Sequence, residues 1–160
     1  MADRDTTAPP LPRVDFYHVP GDNMLGLHRF TCRLTEKAWK LGHRIFILCD
    51  KPASCQQLDQ LLWSWRDTGF LPHAPASSSL AADTPVLLGE QLPAHAEFDL
   101  IINPGGDIHA QIPQISPATR RIAEIINQHP NCKQAGRLRY SYYDKNNYPL
   151  EYHEISIAVA

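Results

Sequence analysis

Hydrophobic and polar positions alternate between two regimes along this chain. After twelve polar, proline-rich residues, Val14-Asp15-Phe16-Tyr17-His18-Val19 has strand composition and stops at Pro20-Gly21. Leu27, Phe30, Leu34, Ala38 and Leu41 follow at helical spacing, with Gly42 where a helix would end. Arg44 to Asp50 is a short apolar run without alternation, the pattern of a strand covered on both faces. Pro52 opens a second helix through Leu58, Leu61 and Leu62 to about Trp63. Residues 64–84 read as a long irregular excursion. Pro85 to Gly89 and Phe98 to Asn103 supply two further strands, the second closed by Pro104-Gly105-Gly106.

Ser116-Pro117 predicts the cap and first residue of a helix carrying Ile122, Ile125 and Ile126, ending by His129 because Pro130 follows. Pro130 then opens a basic helix to about Lys145, with Gly136 as an interior weak point costing on the order of 1 kcal/mol against Ala. Tyr148-Pro149 ends it, and Glu151 to Ile157 returns as a final strand. Strands alternating with helices predict an α/β fold: a single domain over 13–160 with a mostly parallel central sheet and helices on both faces, Rossmann-like but without a dinucleotide motif. Residues 1–12 are expected to be a disordered extension.

Charge adds one asymmetry to this outline. Over the whole chain 15 Lys+Arg stand against 17 Asp+Glu, a net charge of -2 that disfavours coating of nucleic acid or an acidic membrane. Residues 120–145 hold six Lys/Arg against Glu124 and Asp144, a local +4, leaving nine against fifteen, or -6, elsewhere. One basic segment on a balanced protein points to a local anionic partner. No apolar run approaches the roughly 18 residues of a membrane span and the N-terminus lacks an apolar signal core, so a cytoplasmic protein is expected. The four cysteines, Cys32, Cys49, Cys55 and Cys132, are unpatterned, and reduced thiols are the expectation.

Catalytic motifs are largely missing. Gly21 and Gly26 have phosphate-loop spacing, yet Leu27-His28 stands where Lys and Ser/Thr would meet phosphate and Mg²⁺. No GxGxxG, CxxC, HExxH or GxSxG occurs, so neither a cofactor nor a metal is expected, and no catalytic residue is assigned. Pro104-Gly105-Gly106-Asp107 keeps an alternative open: a small α/β enzyme binding a nucleotide or phosphometabolite at the Gly21 or the Gly105-Gly106 turn. Two clusters look like binding surfaces instead. Trp63-Ser64-Trp65 with Phe70-Leu71-Pro72-His73 offers loop aromatics that either close the core or anchor a partner. Lys133, Arg137 and Tyr140, at i, i+4 and i+7, share one helix face, either solvated or suited to an acidic peptide with an apolar anchor.

Lys133 to Tyr140 (KQAGRLRY), Tyr143, Tyr148-Pro149-Leu150 and His153-Glu154-Ile155 resemble the C-terminal signature of the chi subunit of bacterial DNA polymerase III holoenzyme. So do Phe16-Tyr17, Leu62-Trp63 and Phe70-Leu71-Pro72-His73, and the resemblance runs from about Arg13 to Ile157. It implies a non-catalytic α/β accessory subunit of the clamp-loader assembly, paired with the psi subunit and bound to the C-terminal tail of single-stranded DNA-binding protein, with DNA contacted only indirectly. The tail-binding positions implied are Ile126, Lys133, Arg137 and Tyr140; the psi-facing ones are Trp63, Phe70, Pro72 and His73, a surface also open to a helicase-like partner. Ser141 replaces a residue that is basic in the best-known members, and Gly136 a common Ala.

Overall fold

The computed structural model describes residues 10–65, 71–93, 97–106 and 108–156. Phe70 and Asp107, with most of the N-terminal extension, lie outside them. Within the described residues the chain runs β1 (Arg13–His18), α1 (Met24–Lys40), β2 (Ile45–Leu48), α2 (Pro52–Trp63), β3 (His73–Pro75), β4 (Val86–Gly89), β5 (Leu100–Asn103), β6 (Arg121–Ile126), α3 (Pro130–Lys145) and β7 (Leu150–Glu154). The seven strands form one sheet in the order β3-β4-β2-β5-β6-β1-β7, and all six pairings are parallel. The α/β architecture expected from the alternation is therefore the one observed.

Strand side chains point alternately to the two faces, and each face has its own core. Ile45 and Ile47 of β2, Leu100 and Ile102 of β5 and Ile125 of β6 pack under α1 and α2, with Leu27, Phe30, Leu58 and Leu62. Phe46 and Leu48, Ile101, Ile122 and Ile126, with Val14 and Phe16 of β1, face the other way, toward Tyr143 of α3. All four residues of β2 are buried, as the unbroken apolar run implied. Asn23 caps α1, its side chain accepting from Gly26 N at 2.8 Å, and Gly42 at φ 85° ends the turn beyond it.

Three expectations need correction. The helix expected ahead of His129 is instead β6: Ile122, Ala123, Glu124, Ile125 and Ile126 are all buried between β5 and β1, and Ser116-Pro117 forms a turn closed by Thr119 N donating to Ser116 O at 3.0 Å. The i, i+3, i+4 isoleucines mimic a helical stripe, but five residues buried on both faces and rich in β-branched side chains satisfy a central strand better. The excursion after Trp63 contains an edge strand, β3, paired with β4. Cys49, just past β2, and Cys55, near the start of α2, form a disulfide with Cα atoms 5.5 Å apart, where reduced thiols were expected. The strand-to-helix turn brings these positions together although five residues separate them in sequence. Cys32 is a free thiol that burial pushes up to about 12.

Candidate functional site

Helix α3 starts where Pro130 removes a donor that no helix start needs and the His129 ring accepts from Asn131 N at 3.1 Å. A charge hidden in the sheet fixes its rotation. Glu124, fully buried in β6, accepts from Arg139 Nε at 2.7 Å and from Asn103 Nδ2 at 3.0 Å on one oxygen, and from Tyr143 OH at 2.7 Å on the other. Burial, reinforced by Glu124, pushes the Tyr143 hydroxyl far above the ordinary phenol range, so it remains a donor. Arg139, four residues before Tyr143, therefore faces the sheet and does not belong to the exposed basic face.

Close approach completes the docking. A Cβ on Gly136 would lie 2.8 Å from Ile126 Cγ2, so the glycine lets the helix backbone settle against β6. With Arg139 and Tyr143 turned inward, Lys133, Arg137 and Tyr140 point along the open side of the helix toward β1 and β7. There they border a groove of about 440 Å³ lined by Phe16, His18, Ile126, Lys133, Gly136, Arg137, Tyr140, Ser141, Asp144 and Tyr152. All four positions expected for tail binding, Ile126, Lys133, Arg137 and Tyr140, meet in this one depression.

Register supplies the floor. His18 sits between Ile126 and Glu154 across the sheet, and Phe16 between Glu124 and Tyr152. The Tyr140 ring packs on Phe16 with centroids 5.2 Å apart. Phe16, His18 and Tyr152 went unassigned in the sequence because their part depends on β1 lying between β6 and β7, a pairing no local pattern encodes; only the alternation Val14, Phe16, His18 hinted at a shared face. Of the six cations in the basic segment, Arg121 is held by Asp15 at 3.1 Å and Arg139 by Glu124; of the other four, Lys133 and Arg137 line the groove, and Arg120 and Lys145 do not.

The second expected surface is only partly brought together. Trp63, at the end of α2, is 58% exposed and meets the His73 ring edge-on at 4.7 Å. His73 itself is buried, its Nδ1 2.7 Å from Leu71 O and its Nε2 3.2 Å from Asp59, while Pro72 is half-buried. His73 thus supports Trp63 from beneath. The glycine turns considered for phosphate are occupied by their own neighbours: Asn103 Oδ1 accepts from the amides of Gly105 and Gly106, Asn23 Oδ1 takes the amide of Gly26, and Leu48 closes on Gly106. Among the described residues no group of His, Cys, Asp and Glu could hold a metal ion, and no helix is long and apolar enough to cross a membrane.

Fold and groove define an α/β domain with a cationic, aromatic-walled depression on one sheet face. The profile described as "DNA polymerase III chi subunit, HolC" matches residues 11–151, and the chain belongs to that family. It is 34% identical over 145 residues to the DNA polymerase III subunit chi of Pseudomonas aeruginosa, covering 91% of this chain and 98% of that protein. Identity is 25% to the subunit chi of Haemophilus influenzae, covering 78% of this chain and 85% of the relative. It is 22% to that of Escherichia coli, covering 76% and 81%. Among solved structures, T4 UvsW is similar in fold, with a TM-score of 0.63 at 8% identity over 89% of this chain; the chain spans 41% of that protein.

Proposed function

We propose that this protein is a non-catalytic adaptor of the clamp-loader assembly in the cytoplasm, joining the psi subunit to the acidic C-terminal tail of single-stranded DNA-binding protein. The observation that supports this most is the convergence of Ile126, Lys133, Arg137 and Tyr140 on a single groove. Lys133 and Arg137 attract the acidic residues and terminal carboxylate of the tail, and Ile126, Phe16 and the Tyr140 ring receive its last apolar side chain. Trp63, supported by His73, is the anchor of the psi-facing surface. Each tail contact is weak and salt-sensitive, and several tails on one oligomeric coat protein raise the effective concentration.

Titration with an aspartate-rich, phenylalanine-terminated peptide tests the groove. Arg137→Glu abolishes binding while the melting temperature stays within a few degrees of the parent, and raising salt from about 50 to 300 mM weakens the parent complex because exposed charges are screened over less than about 10 Å. Unchanged affinity in Arg137→Glu refutes the assignment.

A further inference from the structure

The groove has a wall that the family signature in α3 does not supply. Opposite that helix stands Tyr152 of β7, the outermost strand of the sheet among the described residues, and it is 51% exposed. An exposed tyrosine on an edge strand ordinarily samples several rotamers. This one is held: its hydroxyl is 2.8 Å from His18 Nδ1, and its ring meets the His18 ring edge-on at 6.2 Å. His18 is buried in the neighbouring strand, Glu154 Oε2 lies 3.1 Å from the same Nδ1, and Nε2 has no hydrogen-bond partner among the described residues. The orientation of the imidazole therefore rests on its Nδ1 side. Burial and Glu154 raise the Tyr152 hydroxyl while Arg137 lowers it, so the phenol stays protonated and Arg137 lies within electrostatic reach across the groove.

We propose that Tyr152, positioned by His18, is the second wall of the groove and makes it select an aromatic over an aliphatic terminal side chain in the acidic peptide it binds. This rests on the groove being a peptide site as read above. Tyr140 on one side and Tyr152 on the other, over Phe16 in the floor, give an inserted ring aromatic neighbours on both flanks, whereas α3 with Ile126 alone would serve a leucine side chain as well. His18 acts through Tyr152, by fixing where its ring stands.

Two labelled aspartate-rich peptides, one ending in Phe and one in Leu, separate the two readings by fluorescence anisotropy at low salt. The parent protein favours the Phe peptide by about three- to tenfold, the worth of one good aromatic contact. Tyr152→Leu binds the Leu peptide within about twofold of the parent and loses that preference. His18→Leu reduces the preference in the same way, and His18→Asn, which keeps a hydrogen-bonding group near where Nδ1 was, restores it; a merely structural effect of His18 would weaken both peptides together. Tyr152→Phe, which keeps the ring and drops the tether, falls between parent and Tyr152→Leu. An unchanged Phe-to-Leu ratio in Tyr152→Leu overturns the proposal while leaving the peptide site intact. Failure of the parent to bind either peptide overturns both.

Discussion

Glu124 and Asp15 show how two buried carboxylates set the electrostatics of adjoining strands. Glu124 has Arg139, Tyr143 and Asn103 around it, and its charge is matched only while Arg139 stays docked. Glu124→Gln leaves the Arg139 guanidinium buried without a counter-charge, so a loss of about 3–5 kcal/mol in urea unfolding is expected, together with weaker peptide binding as α3 loosens. Asp15 is as deeply buried and lies on the opposite face. Arg13 Nη2 at 2.8 Å and His153 Nε2 at 2.9 Å contact one oxygen, and Arg121 Nε at 3.1 Å the other. Burial alone would raise this carboxyl, but the hydrogen bonds from His153 and Arg13 and the charges of Arg121 and Arg13 outweigh it and hold Asp15 below its ordinary value. A depressed folded-state value means the stabilisation is complete above the unfolded carboxylate range, near pH 4, and is lost as pH falls through the folded value. Urea midpoints measured from pH 7 to pH 3 should therefore fall more steeply at the acid end for the parent than for Asp15→Asn.

At the scale of elements, α3 carries the site and Gly136 governs how close it comes. By helix propensity alone Gly136→Ala would gain roughly 1 kcal/mol. The added methyl meets Ile126 Cγ2, on a β-branched side chain that cannot swing aside, so overpacking prevails: a net loss of about 1–3 kcal/mol and a weaker peptide complex are expected from thermal melts and titration. The elements legible in the sequence were β2, β4 and β5, as short unbroken apolar runs, and those where period and punctuation agree: β1 before Pro20-Gly21, α1 ending at Gly42, and α2 and α3 opening on Pro52 and Pro130. β6 was misread because isoleucines at 122, 125 and 126 satisfy a helical and a buried-strand pattern at once, and only sheet neighbours decide between them. Three residues of β3 are too few to carry a period at all. In the groove the helix-borne residues were visible from their spacing, while Phe16, His18 and Tyr152 became neighbours only through the strand order.

At the scale of the whole molecule, the sheet keeps two surfaces apart. Helix α2, which ends in Trp63, packs on one face with contacts to β3 and β4 at one edge, whereas the groove lies on the other face over β1 and β7 at the opposite edge. On the function proposed above, the separation leaves room for both partners to be held together. Saturating acidic peptide is expected to leave psi binding unchanged in a competition assay, and Trp63→Ala to cost more than about 2 kcal/mol of psi affinity with the peptide site unaffected; displacement of psi by the peptide would exclude simultaneous binding.

The place of β1 in the sheet has a bearing on synthesis. The strand is made first, yet its two neighbours are Arg121–Ile126 and Leu150–Glu154, so both of its edges stay without partners until more than a hundred further residues have been added. Such long-range closure is slow, and the unpaired edges are open to wrong pairing in the meantime. The groove shares this dependence: its floor comes from residues 16 and 18 and its outer wall from residue 152, so it is complete only once β7 has paired with β1.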